Sequence, residues 1–144
     1  MMENFNHQDT RKVFFEAWQK ELHSQPVTPL EGIIVDVLKR HPEYQSIFSH
    51  QEAFENFQIN LKNGGVNPFF HLSLHVAILE QVNANRPNGI KEIFVRLHNK
   101  YHDQTEVEHK MMEVLAQLLH DAAHKPEFLA DDSEYLERLK RLFR

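Results

Sequence analysis

The sequence predicts an all-α protein, a single domain bundling about six or seven helices, and three observations carry that prediction. Apolar residues recur at helical spacing almost from end to end. Helix start signals stand ahead of most of those stretches, and prolines or Asn-Gly pairs follow them. No run alternates apolar and polar residues as a half-buried strand would.

The elements follow in order. Residues 1–8 are expected to form a flexible N-terminal segment, and Asp9 to cap a helix with Phe14, Phe15, Trp18 and Leu22 on one side. Thr28-Pro29-Leu30-Glu31 reads as a capping box with proline in the first helical position. The helix it opens places Leu30, Ile33, Ile34, Val37, Leu38 and His41 along one stripe, and Pro42 ends it. A shorter piece runs through Tyr44, Ile47 and Phe48. Ser49 with Glu52 suggests another capping box, ahead of Phe54 and Phe57. Residues 58–66 read as a loop because of Asn63-Gly64-Gly65.

Asn67-Pro68 then opens a helix that is apolar on nearly every side, as a helix at the centre of a bundle would be. The stretch Asn85-Arg86-Pro87-Asn88-Gly89 breaks it. Ile90, Ile93, Phe94, Leu97 and Tyr101 mark the next helix. Asp103 and Glu106 start a long one with Val107, Met111, Val114, Leu115, Leu118 and Ala122 as its stripe, and Lys125-Pro126 ends it. Asp131-Asp132-Ser133 caps the last helix, whose basic end (Arg138, Lys140, Arg141, Arg144) reads as a solvated helix terminus favoured by the helix dipole.

Composition narrows function by exclusion. The chain has 144 residues, a net charge of −5 with histidines neutral, 11 histidines and no cysteine. The acidic balance argues against a nucleic-acid partner. The missing thiols exclude disulfides, thiolate zinc sites and thiol catalysis within this chain, and fit a reducing compartment. No apolar run approaches the roughly 18 residues of a membrane span, and the first residues lack the pattern of a secretion signal. A cytoplasmic protein without a membrane partner is expected. A homo-oligomer or a protein partner is left open. So is a pH response, since each histidine titrates near neutrality unless perturbed.

Histidine is therefore where chemistry is sought. His71 and His75 lie four residues apart inside the most apolar helix, and so on one face of it. A buried neutral imidazole must satisfy a donor and an acceptor. Hydrogen bonds to neighbouring helices would do so, and that is the commoner outcome; a shared metal would do so as well. The spacing is half of a zinc-protease motif, but Ser73-Leu74 stands where the glutamate base would be needed, which excludes that reading.

On the long helix, Glu106, His109 and Glu113 share the side opposite the apolar stripe. Their spacings echo fragments of di-iron and haemerythrin-like patterns without completing either. A polar stripe opposite an apolar one is usually solvent-facing, and Glu106 is already explained as the capping partner of Asp103. If that side faces inward, His71, His75, His109 and Glu113 converge as ligands for zinc, iron or manganese, with His41 and Glu108 as lesser candidates. Glu108 lies at the edge of the stripe and needs a partner. His120 and His124 repeat the four-residue spacing on the polar side and read as solvated. No reaction can be named from these residues. The competing reading is an interaction or regulatory module whose histidines are core hydrogen-bond partners.

Several segments together resemble an uncharacterised bacterial family, the domain of unknown function numbered 1841. They are His41-Pro42-Glu43-Tyr44, Asn67-Pro68-Phe69-Phe70-His71-Leu72-Ser73-Leu74-His75, Glu80-Gln81, Arg86-Pro87 and Glu108-His109-Lys110-Met111-Met112-Glu113. The resemblance spans most of the chain, from about Phe15 to the last helix. It implies an all-helical cytosolic bacterial protein and no particular activity. It also implies that His41, His71, His75, Glu108, His109 and Glu113 belong to the family pattern. The chain departs from that pattern at Gln45, where a second histidine is expected, and at His120 and His124, where tryptophan and arginine are expected.

Overall fold

A computed structural model describes residues 7–62 and 68–144, and among these it contains helices and turns and no strand. The α-helices are α1 (His7–Leu22), α2 (Pro29–Lys39), α3 (Pro42–Gln45), α4 (Gln51–Lys62), α5 (Pro68–Ala84), α6 (Ile90–Tyr101), α7 (Gln104–Ala122) and α8 (Ser133–Lys140). That is one more than the upper expectation, because the four-residue α3 counts separately. Single 3₁₀ turns follow α3, α7 and α8. The chain divides into two compact units, Met1–Val76 and Ala77–Arg144, and the division falls within α5.

In the first unit, Thr28 accepts a hydrogen bond from the Glu31 N–H at 3.2 Å while Glu31 returns one to the Thr28 N–H at 2.9 Å, the reciprocal cap the sequence announces. The buried face of α2 is rotated from the expected stripe. Glu31, Ile34, Val35, Val37 and Leu38 are buried, whereas Leu30 is exposed. Glu31 can sit there because Lys20 of α1 reaches its carboxylate at 2.8 Å. On α1, Phe14, Ala17 and Trp18 are buried and Leu22, the last helical residue, is exposed. Asp9 lies within α1 rather than ahead of it.

The core of this unit is aromatic. Phe69, near the start of α5, stacks on Phe14 and meets Phe48, Phe54 and Phe57 edge-on. Such pairs add about 0.5–1.5 kcal/mol each beyond area burial. They fasten the first turn of α5 to α1, α4 and the turn after α3.

Two start signals differ from expectation. The ring of His50, not Ser49, accepts the Ala53 N–H at the start of α4, while the Ser49 hydroxyl donates to the Gln45 carbonyl. Helix α4 also runs on to Lys62 instead of yielding to a loop at 58. Gln58, Ile59, Asn60 and Leu61 include no helix breaker, and the first glycine comes at 64. Residues 63–67, with the Asn-Gly-Gly turn and Asn67, lie outside the described residues, as do residues 1–6.

In the second unit, the break after α5 is held by Asn85, whose side-chain oxygen accepts from the N–H groups of Gly89 and Lys91, both at 3.1 Å. Gly89 has φ +100°, a backbone conformation that favours glycine. Asp103 caps α7 by accepting from the Glu106 N–H. Val107, Met111, Leu115, Leu118 and Ala122 are buried as the spacing requires, with Met112 beside them. Tyr135 of α8 donates to the Gln81 side-chain oxygen of α5 at 2.6 Å, and both are buried. Arg138 pairs with Asp121 and Glu134, so the basic end of α8 is partly ion-paired rather than wholly solvated.

Candidate metal centre

Two segments of the first unit bring three imidazoles together. Helix α5 supplies His71 and His75 one turn apart. His41 comes from the bend between α2 and α3, where Pro42 stops the preceding helix and starts the next. His75 is 0% exposed and His41 6%, while His71 is half-buried. The Nε2 of His41 is the hub: it lies 3.1 Å from Nδ1 of His75 and 3.4 Å from Nε2 of His71. One nitrogen of each ring lies within 4.8 Å of the others. The His41 ring stands nearly perpendicular to both partners, at 81° to each.

Two further residues complete the surroundings, and neither was singled out as a site residue from the sequence. Glu43 places a carboxylate oxygen 2.8 Å from Nδ1 of His41. Its own backbone N–H, and after it the His41 ring, hold its carboxyl below the usual carboxylate range. Tyr44 stacks on His41 with ring centroids 5.6 Å apart and stands 6.1 Å from His71. The available signal was the carboxylate two residues after a histidine across a proline, within His41-Pro42-Glu43-Tyr44.

The remaining sequence candidates lie on α7, in the second unit. His109 is half-buried. Glu108 is 0% exposed, and its carboxylate accepts from the Gln104 amide at 2.9 Å. Glu106 and Glu113 are exposed, as are His120 and His124 further along the helix. Gln45, where the family resemblance led to a histidine, donates its amide to the Leu38 carbonyl at 2.9 Å and so covers the end of α2. Glu80 on α5 is half-buried, and loss of solvation raises its carboxyl above the ordinary range.

Comparison with protein families gives one match that covers nearly the whole chain, the Domain of unknown function (DUF1841), over residues 6–141. The chain belongs to this family. All the histidines of the cluster fall within the matched segment. No curated protein and no solved structure matches the chain. Among the described residues, no helix is long and apolar enough to cross a membrane.

Proposed function

We propose that this DUF1841 protein binds one divalent transition-metal ion through His41, His71 and His75. The observation that carries the reading is the spacing around Nε2 of His41. Zinc–nitrogen bonds of about 2.0–2.1 Å in a tetrahedral site put ligand nitrogens about 3.3 Å apart. The two measured separations, 3.1 and 3.4 Å, bracket that value. The longer one exceeds the usual range of a nitrogen-donor hydrogen bond, about 2.7–3.2 Å. Three ring nitrogens gathered at such separations match the spacing that a shared ion imposes.

The donor set selects the metal. Imidazole nitrogens suit zinc and iron(II), whereas manganese prefers carboxylate oxygen. Glu113, the carboxylate expected beside the histidines, is exposed, so the reading favours zinc or iron over manganese. Three imidazoles leave one position of a tetrahedral shell: a further protein donor there makes the ion structural, whereas water or substrate there lets it act as a Lewis acid. We favour a structural or regulatory ion in a cytoplasmic protein.

Elemental analysis of protein purified without a histidine tag tests the proposal. One zinc or iron per chain, and a melting temperature that rises when that metal is restored to chelator-treated protein, is the expected result. Sub-stoichiometric metal with no thermal shift from zinc, iron or manganese removes it.

One observation favours a second reading. Glu43 and His75 already offer hydrogen bonds to both nitrogens of His41. An interaction module with purely structural histidines would use the cluster that way. It predicts that His71→Ala lowers stability without changing metal content, and that a pull-down recovers a stoichiometric partner.

A further inference from the structure

Within the metal-binding reading, on which this inference rests, we propose that Glu43 is a positioning residue. It holds Nδ1–H of His41 so that the bare Nε2 of that ring is presented to the metal alongside His71 and His75. Neutral imidazole carries one N–H and one lone pair, and the partner of one nitrogen decides which state the other is in. A carboxylate 2.8 Å from Nδ1 can only accept, so the hydrogen of His41 resides there and Nε2 is a lone pair.

The ring cannot easily turn away from this arrangement. Tyr44 stacks on one face of His41 while His71 and His75 meet it edge-on. Pro42 fixes the backbone between the imidazole and the carboxylate. His41-Pro42-Glu43-Tyr44 thus acts as one device: ligand, bend, orienting carboxylate and aromatic wall.

A consequence follows for His75. Two lone pairs do not face each other across 3.1 Å, so in the metal-free protein Nδ1 of His75 carries a hydrogen and donates it to Nε2 of His41. A metal bound at that nitrogen requires the hydrogen to move to Nε2 of the same ring. Loading therefore switches the tautomer of His75 and leaves that of His41 as it was.

The test combines zinc titration calorimetry with nitrogen-15 NMR of the histidine rings, on wild type and on Glu43→Ala, Glu43→Gln and Glu43→Asp. The Glu43 side chain is 57% exposed, so these variants are expected to melt close to wild type. Loss of an orienting partner of this kind weakens metal binding about 10–100-fold. Glu43→Ala should show that loss, together with loss of the fixed Nδ1–H state of His41 in the metal-free protein. Glu43→Gln can present its amide N–H to Nδ1 and reverse the tautomer. Glu43→Asp should recover part of the affinity. Unchanged zinc affinity or an unchanged His41 tautomer in Glu43→Ala overturns the role of Glu43 and leaves the metal site standing. A wild-type protein that takes up neither zinc nor iron(II) overturns both.

Discussion

His41 and His75 place their facing nitrogens 3.1 Å apart in an interior from which solvent is almost wholly excluded. His75→Ala would remove the 3.1 Å partner of Nε2 of His41 and open a cavity where the ring stood. A cost of about 2–4 kcal/mol in metal-free protein is expected from those two effects together. His71 is half-buried and its separation from His41 is longer, so His71→Ala should cost clearly less. Urea denaturation in the presence of a chelator measures both. Equal losses would mean that the separation between hub and second ligand has no energetic meaning.

The other helical pair with the same spacing gives the opposite expectation. His120 and His124 are exposed, with ring centroids 6.4 Å apart. Replacing both with alanine should leave the metal stoichiometry of the purified protein unchanged and alter stability by no more than about 0.5 kcal/mol. Loss of the bound metal in that double variant, measured by elemental analysis, would move the site from α5 to α7.

These two pairs show what the sequence could and could not disclose. Spacing puts both members of each pair on one helix face. The apolar surroundings of His71 and His75, against the polar ones of His120 and His124, separated an inward pair from a solvated one. Capping chemistry at Thr28 and Asp103 was equally legible, because a cap is a local hydrogen bond between near neighbours in sequence. A histidine at a helix end usually meets carbonyl groups, which makes His41 a lesser candidate by sequence. Its approach to α5 depends on the bend at Pro42, a tertiary fact that periodicity does not carry. The partner of Glu31 was hidden for the same reason: Lys20 lies on a different helix.

That pairing makes Glu31 the clearest source of acid sensitivity. Its carboxyl is held below the ordinary range, first by the hydrogen bond from Lys20 and then by the backbone N–H of Thr28. The folded state therefore binds this proton less readily than the unfolded chain does. The stabilisation is fully present above the unfolded-state value, about 4.3, and fades as pH falls through the lower folded-state value. Glu31→Gln keeps an acceptor for the Thr28 cap and removes the charge. Its stability should fall less steeply than wild type below about pH 4.3. Parallel profiles from chemical denaturation at pH 3 to 6 would exclude Glu31 as the titrating group. Thr28→Ala, which removes the cap itself, should cost about 1 kcal/mol at neutral pH.

At the alkaline end the governing group is Tyr135. Burial raises its phenol far above the ordinary value, an effect that the hydrogen bond with Gln81 only partly offsets. The folded state keeps the proton after the unfolded chain has begun to lose it. Stability is therefore complete below about pH 10, the unfolded-state value, and declines as pH rises beyond it. Tyr135→Phe removes this titration and leaves the buried Gln81 oxygen without its 2.6 Å donor, at a cost of about 1–2 kcal/mol near neutrality. The variant should thus begin less stable than wild type and lose less between pH 9 and 11. Replacing Gln81 with leucine in the Tyr135→Phe background should recover part of the neutral-pH loss, because an apolar pair of similar shape has no polar group left to satisfy. A double variant less stable than either single one would show that the Gln81 amide has a further obligation in the core of the second unit.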